Sequence, residues 1–114
     1  MAALVLRQRR LDRVHQWPTV EATIETCELQ NAGRQYVQYV ICWLGYSYRV
    51  QGTLYSGEFG LSVPDRDTGF FKGEEFKGKT IVARYNPSFP RKSVVLSEDF
   101  GRSVISSRRR FRTF

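Results

Sequence analysis

Polar and apolar positions alternate from Val20 onward. Val20, Ala22 and Ile24 fall on one side, and Glu21, Thr23 and Glu25 on the other, as in a strand with one wet face. Asn31-Ala32-Gly33 predicts the turn that ends it. Residues 35 to 50 then form a long extended run rich in Tyr, Val, Ile and Trp, and Thr53 to Leu61 returns after Gln51-Gly52. A two-residue loop at Gln51-Gly52 pairs Val50 with Thr53, Tyr48 with Tyr55, Tyr46 with Gly57 and Leu44 with Phe59. All of these share one face, so an aromatic core surface follows from spacing alone.

The opposite face of that run departs from simple alternation. Val37, Tyr39, Ile41 and Trp43 occupy odd positions while Val40, Cys42 and Leu44 occupy even ones. A strand apolar on both faces is covered on both sides, here by an N- or C-terminal segment, or it exposes a patch for a partner. The second alternative makes Val37, Tyr39, Ile41 and Trp43 candidate interaction residues. Gly45 is a candidate bulge that switches the faces.

Residues 62 to 78, with Pro64-Asp65-Arg66-Asp67-Thr68-Gly69 and two further glycines, read as loop, and Phe70, Phe71 and Phe76 are expected to pin it to the core. Strand character resumes at Thr80 to Tyr85. Asn86-Pro87-Ser88-Phe89-Pro90 makes a rigid turn, and Ser93 to Leu96 a short last strand. The expected fold is all-β, a small antiparallel barrel or sandwich of about five to six strands with basic terminal segments. Residues 1–16 form a basic N-terminal segment, read as a short helix that Trp17-Pro18 ends. Residues 17–100 form the β domain. Residues 101–114 form a basic C-terminal tail, helical or disordered after Glu98-Asp99.

Composition narrows the class. The chain has 114 residues, 41% of them hydrophobic and 14% aromatic, which suits one globular domain and argues against disorder. No apolar run approaches the roughly 20 residues of a membrane-spanning helix. Eighteen Lys and Arg against eleven Asp and Glu give +7. Residues 1 to 16 carry Arg7, Arg9, Arg10 and Arg13 against Asp12; residues 101 to 114 carry Arg102, Arg108, Arg109, Arg110 and Arg112 with no acid. All the excess positive charge therefore lies at the ends, and the middle is slightly acidic. Charges that follow the apolar residues at the N-terminus are in the wrong order for a secretory signal.

Little in the sequence points to catalysis. His15 is the single histidine and lies in the basic N-terminal segment, far in sequence from any acid and nucleophile arranged to use it. One His and two separated Cys are too few for zinc. Asp65 and Asp67 resemble the start of a calcium loop but lack its later acids. Glu74-Glu75, flanked by Lys72 and Lys77, reads as solvated surface, and Gly69, Gly73 and Gly78 match no phosphate loop. A hairpin turning near Ala32 sets Cys27 and Cys42 about five residues out of register, too far for a disulfide at roughly 3.3 Å per residue. Reduced buried thiols and a reducing compartment are expected.

The expected function is therefore a non-enzymatic protein-interaction or membrane-surface-associated module without cofactor or metal. Its partner is an unidentified protein or an anionic membrane surface, with the chain itself as a further partner in a homo-oligomer. Arg108, Arg109, Arg110 and Arg112 interleave with Phe111 and Phe114, a composition suited to a membrane interface. The alternative is a small nucleic-acid-binding domain using the Arg-rich ends. A cytoplasmic location, including the inner face of the membrane, goes with these readings.

Trp17-Pro18-Thr19-Val20-Glu21-Ala22-Thr23-Ile24 resembles the opening of a widespread bacterial domain family of unknown function, whose members begin Trp-Pro-Thr-Val-Glu-Gly-Thr-Ile or a near variant. The likeness continues through Tyr46, Tyr48, Val50, Gly52, Tyr55 and Gly57. It closes with Val82-Ala83-Arg84-Tyr85-Asn86-Pro87-Ser88-Phe89-Pro90 and Ser93-Val94-Val95-Leu96, similar to the family's Tyr-Asn-Pro-x-x-Pro end. The resemblance covers about residues 17 to 96. It implies a β-rich domain often found beside transmembrane helices, and it brings no catalytic residues. Ala22 stands where the family usually has Gly, and the helices are missing. Trp17 is expected to plug the core, Gly52 to turn the chain, and Pro87 with Pro90 to stiffen a corner.

Overall fold

The computed structural model of the protein describes residues 13–106. Their elements are β1 (Thr19–Arg34), β2 (Val37–Val50), β3 (Thr53–Val63), α1 (Arg66–Phe76), β4 (Thr80–Asn86), β5 (Phe89–Val94) and α2 (Ser97–Phe100). The strands form one antiparallel sheet in the order β3-β2-β1-β4-β5. The edge strands are not hydrogen-bonded to each other as a ladder, so the barrel stays open. The sheet curls enough for β2 to reach β5: the Tyr46 and Ser93 hydroxyls lie 2.7 Å apart and Tyr48 Oη donates to the Pro90 carbonyl at 2.6 Å.

The β2–β3 register is the expected one, with Val50 opposite Thr53, Tyr48 opposite Tyr55, Tyr46 opposite Gly57 and Leu44 opposite Phe59. Gln51 and Gly52 both take positive φ, the handedness that matches a two-residue turn to twisted strands. A side chain on Gly57 would collide with the Tyr46 hydroxyl at 2.5 Å, so the glycine makes room for the ring facing it. Tyr46, Tyr48, Leu44, Phe59, Leu61, Ala22, Ile24, Ala83 and Val95 form the buried core. Phe100 of α2 closes one end of it, meeting Phe59 at 5.0 Å and Phe76 at 5.6 Å between ring centroids. Edge-on and tilted rings at these separations add to the area they bury.

The first hairpin turns later than its composition predicts. Strand β1 continues through Asn31-Ala32-Gly33, and the loop is Gln35-Tyr36, with Arg34 opposite Val37. Gly33 is needed for another reason: its φ is +105°, and the Val37 carbonyl oxygen occupies the place of its missing Cβ. A second irregularity lies in β1, where Ile24 pairs with Tyr46 and Thr26 with Gly45, leaving Glu25 as an extra residue. This bulge moves the inward positions of β1 from Ala22 and Ile24 to Cys27 and Leu29. The face switch suggested by Gly45 therefore occurs on the strand beside it. Gly45 is small because the Thr26 hydroxyl sits against it.

Residues 66 to 76 are helix rather than loop. Asp65 caps it, its Oδ1 accepting the Thr68 backbone N–H at 2.8 Å, and this bond holds the Asp65 carboxyl below the usual range. Gly69 and Gly73 lowered the apparent helix propensity, yet they are the buried residues of α1. A Cβ on Gly69 would lie 2.7 Å from Leu29, and one on Gly73 would lie 2.5 Å from the Cys27 sulfur. The helix thus approaches the sheet through glycines. Its Phe70 and Phe71 are 56% and 68% exposed instead of pinned in the core, and Phe76 alone of the three packs against it. The last strand begins at Phe89, earlier than expected, because the β4–β5 turn uses only Pro87 and Ser88; Asn86 Oδ1 accepts the Ser88 N–H at 2.9 Å.

Candidate functional site

The odd-numbered row of β2 runs from solvent into the interior. Val37 is 66% exposed, Tyr39 is half-buried, and Ile41 and Trp43 are 0% and 1% exposed. Trp43 donates its indole N–H to Gln30 Oε1 at 2.7 Å. Gly60 beside it leaves room for the ring and for Ile41. The edge of β3 is covered there by the C-terminal segment, since Gly60 and Ile105 exchange both backbone hydrogen bonds at 2.8 Å. Ile41 and Trp43 are buried within the chain, and this corrects their place among the contact residues. Val37 and Tyr39 remain accessible. Arg108, Arg109, Arg110 and Arg112 lie outside the described residues.

Tyr36, Val37, Phe70 and Phe71 are exposed together, while Leu54, Val82 and Phe89 are exposed on other strands. Among the described residues, β1 beyond residue 30 pairs with β2 alone and β2 before Val40 pairs with β1 alone, so residues 31–39 form a two-stranded arm projecting from the sheet. Its tip carries Tyr36, 95% exposed, and Val37. Arg66 at the start of α1 donates to Asn31 Oδ1 at 3.1 Å, and Gly69 packs on Leu29, so the helix with Phe70 and Phe71 stands against the base of the arm. The sequence carried one signal for this second part, the capping Asp65 three residues before Thr68. It was masked by two glycines that ordinarily weaken a helix.

A cleft of about 620 Å³ lies at the opposite end of the sheet, lined by Arg13, Trp17, Asn86, Pro87 and Lys92 among others. The opening and closing motifs meet beside it: Tyr85 N–H donates to the Pro18 carbonyl at 3.2 Å. Arg84 donates to the His15 and Trp17 carbonyls at 2.7 and 3.3 Å and holds Asp99 through two bonds of 2.8 and 3.2 Å. Trp17 is half-buried against this junction rather than a plug in the core. The short N-terminal helix is seen at residues 13–16, and its expected earlier part lies outside the described residues.

His15 Nδ1 meets Glu98 Oε1 at 2.7 Å on the surface. Burial pushes Tyr46 up to about 12, so it stays a neutral hydroxyl beside Ser93. Among the described residues no three His, Cys, Asp or Glu side chains converge as metal ligands, and no helix is long and apolar enough to cross a membrane. Cys27 and Cys42 overturn the expected separation: their sulfurs are 3.0 Å apart, because the later turn sets Cys27 opposite Leu44 and Cys42 opposite Leu29.

No curated protein and no solved structure matches the chain. A family model described as a domain of unknown function, DUF3592, matches residues 19–100. That span holds all five strands, α1 and α2. The chain belongs to this family of domains of unknown function, DUF3592.

Proposed function

We propose that the chain is a non-enzymatic interaction module that docks on an anionic membrane surface through the tip of the β1–β2 arm. The observation that carries this reading is the exposure of Tyr36 and Val37, 95% and 66%, at the end of an arm that no other strand of the described residues flanks. Apolar groups left in water there contribute nothing to folding. Their burial in a lipid interface is worth about 1.5–3 kcal/mol for a large side chain. Phe70 and Phe71 beside the base of the arm extend the apolar surface. Residues 101 to 114 carry five Arg and no acid, and each Arg near an anionic leaflet adds about 1 kcal/mol.

The experiment is co-sedimentation with phosphatidylserine-containing vesicles at stepped salt, against phosphatidylcholine vesicles and mixed-sequence oligonucleotides. Binding to the anionic vesicles should weaken as salt rises. The double variant Tyr36→Ser, Val37→Ser should weaken it at least about tenfold. Binding that ignores the double variant refutes the arm as the contact. Tight oligonucleotide binding without vesicle binding favours the nucleic-acid alternative, and binding to neither leaves the arm to a protein partner.

A further inference from the structure

Cys27 lies opposite Leu44 and Cys42 opposite Leu29, so the two cysteines are diagonal neighbours on adjacent strands. A diagonal pair is ordinarily about 7–8 Å apart at Cα, with the side chains leaning either together or apart. Here they lean together, the sulfurs meeting at 3.0 Å. Both are free thiols. They sit under α1, where Gly73 leaves space for the Cys27 sulfur and the Gly69 carbonyl lies 3.7 Å from that of Cys42. Cys42 is fully buried and Cys27 half-buried. With no third ligand beside them among the described residues, a metal site is not the natural use of the pair.

We propose that Cys27 and Cys42 form a redox site, a cross-strand dithiol that a low-molecular-weight disulfide such as glutathione disulfide converts into an intrachain disulfide joining β1 to β2 beneath α1. The bond requires the sulfurs to close by about one ångström, to a length of about 2.05 Å, and the strands to bring the two Cα atoms within about 6.8 Å, closer than a diagonal pair ordinarily stands. Differential burial sets the order of events. Cys27 is the thiol that the oxidant reaches; its thiolate attacks one sulfur of the small disulfide, forming a mixed disulfide and expelling one small thiolate. Burial, with the Cys27 contact beside it, pushes Cys42 up to about 12, so it waits as a thiol. Cys42 then attacks the Cys27 sulfur, passing its proton to the departing small thiolate. Two protein thiols lose two electrons and two protons, and one small disulfide becomes two small thiols. The cross-link closes the segment from Cys27 to Cys42, 15 positions apart, which contains the projecting arm.

The test equilibrates the full chain in buffers of graded glutathione disulfide to glutathione ratio, quenches with N-ethylmaleimide, and measures intact mass and the unfolding midpoint. The expected product is a monomer lighter by two hydrogens with no retained glutathione, its peptides joined at Cys27 and Cys42. Its midpoint should rise by at least about 5 °C and fall back with dithiothreitol. In Cys42→Ala the glutathione should remain on Cys27, and in Cys27→Ala the native chain should resist modification. Persistent glutathione on wild-type Cys27, a disulfide between two chains, or two thiols still open to the maleimide at the most oxidising ratio overturns the proposal. The wild-type masses decide the matter even if a variant fails to fold.

Discussion

The two ends of the β1–β2 hairpin are one ladder with two fates. At its near end β1 is flanked by β4 as well as β2, from Thr19 to Thr23, and β2 is flanked by β3. There Ala22, Ile24, Tyr46 and Tyr48 are all at most 2% exposed. At the far end no further strand of the described residues flanks them, and Val37 and Tyr36 face water. Val37, Gln38 and Tyr39 still alternate at the far end, so burial is decided by what packs alongside, and side-chain type alone does not settle it. The middle of the ladder is an intermediate case, where α1 covers Cys27 and Leu29 through its glycines and the Ile105 segment covers the edge beside Trp43.

Replacing Trp43 should have the largest effect, because its row changes from exposed to buried within three alternate positions. Trp43→Ala should cost about 3–5 kcal/mol, read by urea unfolding. A cost below about 1 kcal/mol would show that this row is surface along its whole length.

Asp99 tests what anchors the near end. Its hydrogen-bonded partner Arg84, opposite Thr19 at the start of β1, holds the Asp99 carboxyl below the ordinary carboxylate range. A depressed folded value means stability that is present above the unfolded value of about 3.9 and lost as pH falls through the lower folded one. The unfolding midpoint should therefore drop on acidification below about pH 4. Asp99→Ala should cost about 1.5–3 kcal/mol at neutral pH and flatten that part of the profile. An unchanged profile would remove Arg84 and Asp99 from the anchor.

The arm should show the smallest effect on stability. Tyr36→Ser with Val37→Ser should change it by no more than about 0.5 kcal/mol in the same urea experiment. A larger loss would mean that the tip packs onto the fold and would weaken its reading as a contact surface.

The β2–β3 hairpin was legible residue by residue, since a two-residue loop at Gln51-Gly52 locks every partner through a period of two. The first hairpin was not. Gly33 looked like a turn residue, but its missing side chain serves the close approach of the Val37 carbonyl. With the turn misplaced, the cysteine pair became invisible. The helix was hidden for a related reason: Gly69 and Gly73 argue against helix locally, while their value lies in letting α1 come close to Cys27 and Leu29. Of the expected contact residues, Val37 and Tyr39 are accessible and Ile41 and Trp43 are interior, where Gly60 of the neighbouring strand leaves room for both side chains.

Local pattern was sufficient for the all-β class, the aromatic core face and the register of the central hairpin, because strand periodicity and a tight turn act over a few neighbouring residues. It could not place the Glu25 bulge, the glycine-seated helix, the thiol contact or the cover over Trp43. Each of these depends on how closely segments distant in sequence approach one another, and that distance is set by packing across the whole sheet.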